Sequence, residues 1–153
     1  MSKNLVHAMV SECMTPYLIT IDQYATLAEA YEILLKNRIR RIPVVRNDEL
    51  IGIITLSDIL DAKPSDARHS MGTEEMNELL STIIVDVAMT RNPVRIYQTD
   101  TLGHAAELML DNKIGGLPVV DSNSKLVGLI TESDIFRTIV HKWRDDNLIY
   151  GGT

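Results

Sequence analysis

Two stretches of the chain set hydroxyls and a carboxylate at the same spacing: Gly52-Ile53-Ile54-Thr55-Leu56-Ser57-Asp58 and Gly128-Leu129-Ile130-Thr131-Glu132-Ser133-Asp134. An ionised aspartate is acceptor-only, and its two oxygens can take both hydroxyl protons of a ribose. The Thr and Ser hydroxyls beside it, with the free amides of a helix start, make a neutral cradle for phosphate. Thr-x-x-Asp is equally close to a plain capping box, which needs no ligand. From the residues alone both readings stand. Arg40-Arg41 offers guanidinium forks that suit phosphate oxygens, whereas the matching Gly115-Gly116 offers only backbone. Strand alternation sends the two arginines to opposite sides, so one of them faces a ligand. The plain alternative is that they solvate a strand end.

The elements that must carry these groups occur twice. Met14-Thr15 recurs as Met89-Thr90, an offset of 75 residues, and Leu27, Ala30, Glu32, Leu35, Asn37, Ile39 and Pro43-Val44-Val45 recur at that offset. One extra residue in Asp121–Lys125 then moves the offset to 76 for Leu50, Gly52, Ile54, Thr55, Ser57, Asp58 and Ile59. Each copy reads as a short strand (Leu18–Ile21; Val94–Ile96), then a helix capped by Thr26 or Thr101. The helices carry apolar stripes, Leu27, Ala30, Tyr31 and Leu34 in the first, Leu102, Ala105, Ala106 and Met109 in the second.

Two apolar, β-branched runs follow, Ile42–Val45 and Leu50–Thr55, joined by Asn47-Asp48 as a tight hairpin turn. Leu117–Val120 and Leu126–Thr131 repeat them across a longer polar loop, and the continuous apolarity predicts strands covered on both faces. A last helix starts near Ser57 or Ser133, the second running on through Trp143. Asp61–Gly72 has linker composition, and Met76, Leu79, Leu80 and Ile83 predict a connecting helix. The expected boundaries are 1–62 for the first repeat with the N-terminal segment, 63–84 for the linker with its helix, and 85–153 for the second repeat with an extended C-terminal helix. Copies of about 50 residues are marginal alone, so the two are expected to pack sheet to sheet.

A chain of 153 residues with 45% hydrophobic and 24% charged residues is that of a soluble globular protein. Net charge −6 and a pI near 5.1 argue against binding duplex nucleic acid, and Arg38, Arg40 and Arg41 are too short a basic cluster for it. Cys13 is the only cysteine and the four histidines are scattered, so neither a disulfide nor a metal site is expected. No apolar run approaches the ~18 residues of a membrane span and no leader is evident, which makes the cytoplasm the expected location. The chain holds no Gly-x-Ser-x-Gly, His-Glu-x-x-His or Walker-type sequence, so no catalytic residue is expected.

A duplicated β-α-β-β-α unit with Met-Thr ahead of it, h-Pro-Val-Val in its middle and Gly-h-h-Thr-x-Ser-Asp at its end resembles the tandem cystathionine-β-synthase (CBS) domain pair, or Bateman module. The resemblance covers Val10–Leu60 and Val85–His141. It implies an α/β fold of two pseudo-symmetric repeats and a regulatory, non-enzymatic module that senses an adenosyl ligand in clefts between them. AMP, ADP or ATP is the leading expectation; NAD or S-adenosylmethionine is the alternative, as is a ligand-free dimerisation or partner-binding module. No cofactor is required. In family terms Thr131, Ser133 and Asp134 meet Thr15, Leu18, Ile19, Arg40 and Arg41 in a main cleft, while Thr55, Ser57 and Asp58 meet Thr90, Pro93, Val94, Gly115 and Gly116 in a second.

The remaining conspicuous residues read structurally. Ile135, Phe136, Ile139, Val140 and Trp143 give the last helix more apolar surface than one small module covers, which predicts a homodimer. A regulated partner protein is also expected, its identity not legible here. Cys13 has no basic neighbour in sequence to activate it and reads as an inert thiol.

Overall fold

The computed structural model describes residues 4–16, 19–64 and 72–150. In chain order the elements are a 3-10 turn (Leu5–His7), α1 (Val10–Cys13), β1 (Ile21–Asp22), α2 (Leu27–Asn37), β2 (Arg41–Arg46), β3 (Glu49–Thr55), α3 (Leu56–Asp61), α4 (Thr73–Leu80), α5 (Val85–Ala88), β4 (Thr90–Arg91), β5 (Ile96–Tyr97), α6 (Leu102–Asn112), β6 (Gly116–Val120), β7 (Leu126–Thr131) and α7 (Glu132–Tyr150). The fold is mixed α/β, and its contacts divide it into two compact units, Ile19–Pro93 and Met1–Leu18 with Val94–Thr153.

In the Ile19–Pro93 unit, Thr26 caps α2 as a reciprocal box: its Oγ1 accepts from the Glu29 amide at 3.2 Å and its own amide donates to Glu29 Oε2 at 2.7 Å. Leu27, Ala30 and Leu34 form the buried stripe, with Tyr31 half-buried beside them. α2 stops at Arg38, whose φ of 53° is left-handed. Asn47 and Asp48, at φ 51° and 64°, make the two-residue turn that matches the twist of paired strands. The sheet order is β1-β2-β3-β4, with β1 parallel to β2 and the other pairs antiparallel. α4 lays Leu80, 1% exposed, into the core with Ile42, Ile54 and Ile59.

The other unit repeats this arrangement. Thr101 caps α6, Lys113 ends it at φ 54°, and the sheet runs β5-β6-β7. The longer β6–β7 loop is held by Asp121, whose Oδ1 accepts from the amides of Asn123 and Lys125 at 2.8 and 3.0 Å. Its core gathers Val10, Ile96, Leu102, Ala105, Leu117, Val119 and Ile130.

Val10 belongs to that core because the folded units are cut differently from the sequence repeats. Val10 N donates to Asp100 O and Leu102 N to Ala8 O, both at 2.8 Å. Val85 N to Ala25 O and Leu27 N to Ile83 O, also at 2.8 Å, are their counterparts in the other unit. Each Met-Thr segment thus completes the unit built around the other copy's hairpin. Thr15 exchanges two backbone bonds with Leu129, at 2.9 and 3.1 Å, and Thr90 pairs with Ile53 in β4–β3.

The first strands are shorter than predicted. Pairing begins at Ile21 and Ile96, later than Leu18–Ile21 and Val94–Ile96 predict, and lasts two residues. Ile21-Asp22 lies opposite Val44-Val45 and Ile96-Tyr97 opposite Val119-Val120, and among the described residues neither pairing extends further upstream. The strand faces are also only partly as predicted. All five residues of β6 are buried, while β3 alternates between buried and half-buried positions. No helix among the described residues is long and apolar enough to cross a membrane.

Candidate functional site

Both Thr-x-x-Asp motifs sit where a central strand turns into a helix. Thr55 ends β3 and caps α3: Asp58 N donates to Thr55 Oγ1 at 3.1 Å and Thr55 N donates to Asp58 Oδ2 at 2.9 Å. Thr131 and Asp134 form the same box at the start of α7, at 3.4 and 2.9 Å. The capping reading of the motif is therefore correct for both copies, and it leaves room for a ligand, because a capping carboxylate uses one oxygen and presents the other.

The two second oxygens differ. Asp134 is 4% exposed, and its Oδ1 accepts from the Thr15 hydroxyl at 3.2 Å and from Arg137 Nη1 at 2.9 Å. Its Oδ2 takes the Thr131 hydroxyl at 3.1 Å in addition to the amide. Asp58 is half-buried, and among the described residues nothing bonds its Oδ1. The residue three positions on, where the second copy has Arg137, is Asp61. Asp58, Asp61, Ala62, Ile83, Val87 and Ala88 line an open recess of about 370 Å³, within the ~300–1,000 Å³ of small-molecule sites.

Each expected ligand set draws residues from both units. In one unit the structure brings together Thr15, Thr131 and Asp134, and Gly116 lies opposite Thr131 in the β6–β7 ladder. Gly115 O accepts from Glu132 N at 3.1 Å, and Val94 is exposed at the edge of that unit. In the other unit Arg41 lies opposite Thr55 on β2–β3, and Arg40 O accepts from Leu56 N at 3.2 Å, its side chain exposed. There Ile19 packs against the core, Pro93 is buried, and Thr90 is exposed on β4. Ser57 and Ser133 are exposed on the first turns of α3 and α7. Leu18 lies outside the described residues.

The roles of Arg137 and of the two Met-Thr methionines were not read from the sequence. Arg137 follows Asp134 by three residues, a spacing that places side chains side by side on a helix and was open to notice. Met14 and Met89 lie over Gly128 and Gly52, where an added Cβ would strike the methionine sulfur and approach the next carbonyl, Thr15 O or Thr90 O, to 3.1 Å. The glycine of each Gly-h-h-Thr motif is thus there for the methionine of a Met-Thr segment.

The CBS domain profile matches residues 10–65 and 84–141, both repeats of the fold just described. The chain belongs to the CBS-domain family. It is 37% identical over 133 residues to a CBS domain-containing protein of Dictyostelium discoideum, covering 86% of this chain and 91% of that protein. The CBS-pair protein CBSX2 of Arabidopsis thaliana, solved in complex with AMP, superposes with a TM-score of 0.72 at 26% identity, covering 87% of this chain and 97% of that one. The CBS domain pair of protein MJ0100, solved with 5′-methylthioadenosine and S-adenosylmethionine, superposes at 0.71 with 29% identity, covering 86% and 99%. Other relatives are longer: the CBS pair spans 46% of a Methanocaldococcus jannaschii protein to which it is 32% identical over 130 residues.

Proposed function

We propose that the chain is a regulatory binding module for an adenosyl ligand, with AMP, ADP or ATP the first choice, and that it turns over no substrate. The observation that carries this reading is Asp134, a carboxylate 4% exposed and gathered with Thr15 and Thr131 at a strand-to-helix junction. Exchange of the Thr15 and Arg137 donors for a ribose diol would keep that oxygen satisfied. Asp58 offers the equivalent acceptor in the other repeat. The relatives solved with AMP, and with methylthioadenosine and S-adenosylmethionine, support an adenosyl ligand. Arg40 and Arg41 are proposed as phosphate donors to the Asp134 site and Gly115-Gly116 as the plain backbone that serves Asp58, so phosphate charge is read mainly at the first.

Calorimetry and thermal melting with AMP, ADP, ATP, NAD and S-adenosylmethionine test this reading. A ligand bound only to the folded form adds about 2.7 kcal/mol at 100 times its Kd. An unmoved midpoint at saturation with all five would sink the reading and leave the assembly module in its place. A second copy of the chain is proposed to cover α7, where Phe136, Ile139, Val140 and Trp143 are 62%, 45%, 42% and 64% exposed. Light scattering at micromolar concentration should give the dimer mass, and a strictly monomeric mass counts against it. We place the module in the cytoplasm, reporting to a regulated protein.

A further inference from the structure

Four donors reach the Asp134 carboxylate, about as many as its lone-pair positions. Two are fixed by the cap. Thr15 is tied by its backbone to Leu129. Arg137 alone is loosely held: its side chain is 62% exposed and, among the described residues, bonds nothing but this oxygen. A ribose that approaches Oδ1 must take a position Arg137 holds. A neutral nucleoside gives the displaced guanidinium nothing in return, whereas a 5′-phosphate offers it a charge-assisted partner. In the other unit the same position is Asp61, which cannot donate, and Asp58 Oδ1 is left accessible to a diol.

We propose that Arg137 is a specificity-determining residue of the Asp134 site: it occupies the ribose-accepting oxygen until a ligand phosphate draws it off, so that this site takes phosphorylated adenosines over adenosine. This rests on the adenosyl reading above. Within it, the carboxylate is guarded in one repeat and open in the other, and the guard discriminates by ligand charge.

The test titrates AMP and adenosine calorimetrically into the Asp58→Ala protein, which retains the Asp134 site, with and without Arg137→Gln. A merely structural arginine would weaken or spare both ligands alike. A guard moves them in opposite directions: AMP should bind about tenfold more weakly, as a charge-assisted bond is lost, and adenosine about twofold or more tightly, as a competitor is lost. Arg137→Lys should keep most of the AMP preference. If Arg137→Gln destabilises the fold, the Arg137 Nε–H resonance of the Asp58→Ala protein at saturation answers instead, moving to a phosphate-bonded position with AMP and to that of a free, exchanging guanidinium with adenosine; the same final position with both ligands overturns the proposal. Equal weakening of both ligands, or an unchanged AMP-to-adenosine ratio, overturns the proposal while the adenosyl reading stands. Failure of AMP and adenosine to bind the unmutated chain overturns the Arg137 proposal, and failure of ADP, ATP, NAD and S-adenosylmethionine as well overturns both.

Discussion

Replacing Asp134 by Ala is expected to cost about 2–3 kcal/mol of stability in the absence of any ligand, against about 1 kcal/mol for Asp58→Ala. Both changes remove the third-position member of a helix cap, worth about 1 kcal/mol. At Asp58 little else is lost, because the described structure gives the second oxygen no bond. At Asp134 the change also breaks hydroxyl bonds from Thr15 and Thr131 to a 4% exposed carboxyl group, each worth about 1.5–3 kcal/mol where the partner is charged. Relief of a buried charge returns part of that, and Arg137, at 62% exposed, adds under about 1 kcal/mol. Urea titration followed by circular dichroism on nucleotide-free protein reads the difference, which for a chain of this size corresponds to about 2–4 °C in melting temperature per kcal/mol. Equal costs, or a larger cost at Asp58, would refute the idea that the Thr15 contact distinguishes the two junctions. The measurement also sets the standard for binding assays, since loss of AMP binding in Asp134→Ala identifies a ligand contact only in protein shown to be folded.

Gly128→Ala should destabilise by about 1–3 kcal/mol and weaken nucleotide binding as well, because the new methyl displaces Met14 and presses on the carbonyl of Thr15; thermal melting and calorimetry on one preparation check both. Gly52→Ala should match the stability loss through Met89 and Thr90. Lys113→Gly should raise stability by about 0.5–1 kcal/mol, since Lys113 is exposed and holds a left-handed φ of 54° that glycine adopts without strain; an unchanged urea midpoint would show that the α6 terminus stores none.

What was legible in the sequence follows how local each signal is. Thr26 and Thr101 as caps, the Leu27 and Leu102 stripes, the Asn47-Asp48 turn and the long last helix all depend on neighbours within a few residues, and the structure agrees with each. The extent of the first strands was misjudged because it is set by which residues find partners in Val44-Val45 and Val119-Val120, distant in the chain. Arg137 escaped for another reason. Its three-residue spacing from Asp134 was visible but is common on any helix, and comparison with Asp61 at the same place in the other copy is what makes it stand out.

The mismatch between sequence repeat and folded unit bears on the site itself. Had each copy folded as it is written, Thr15 would lie with the first hairpin and Asp134 would have only its own cap. Instead the segment around Val10 and Thr15 docks on β7, and a hydroxyl 119 residues away completes the carboxylate's shell. The unit that holds Asp134 is therefore discontinuous, assembled from the chain's early residues and its later ones, whereas the Asp58 unit runs without interruption from Ile19 to Pro93. A ligand held by Thr15 and Asp134 together would tie the early segment to the later one, and its binding energy would oppose undocking of Val10 and Met14 from that core. Occupancy at Asp58 carries no such linkage to the early segment within its own unit. The two junctions, alike as caps, are thus unequal in what a ligand there would do, and filling of the proposed Asp134 site would change how firmly the start of the chain is held.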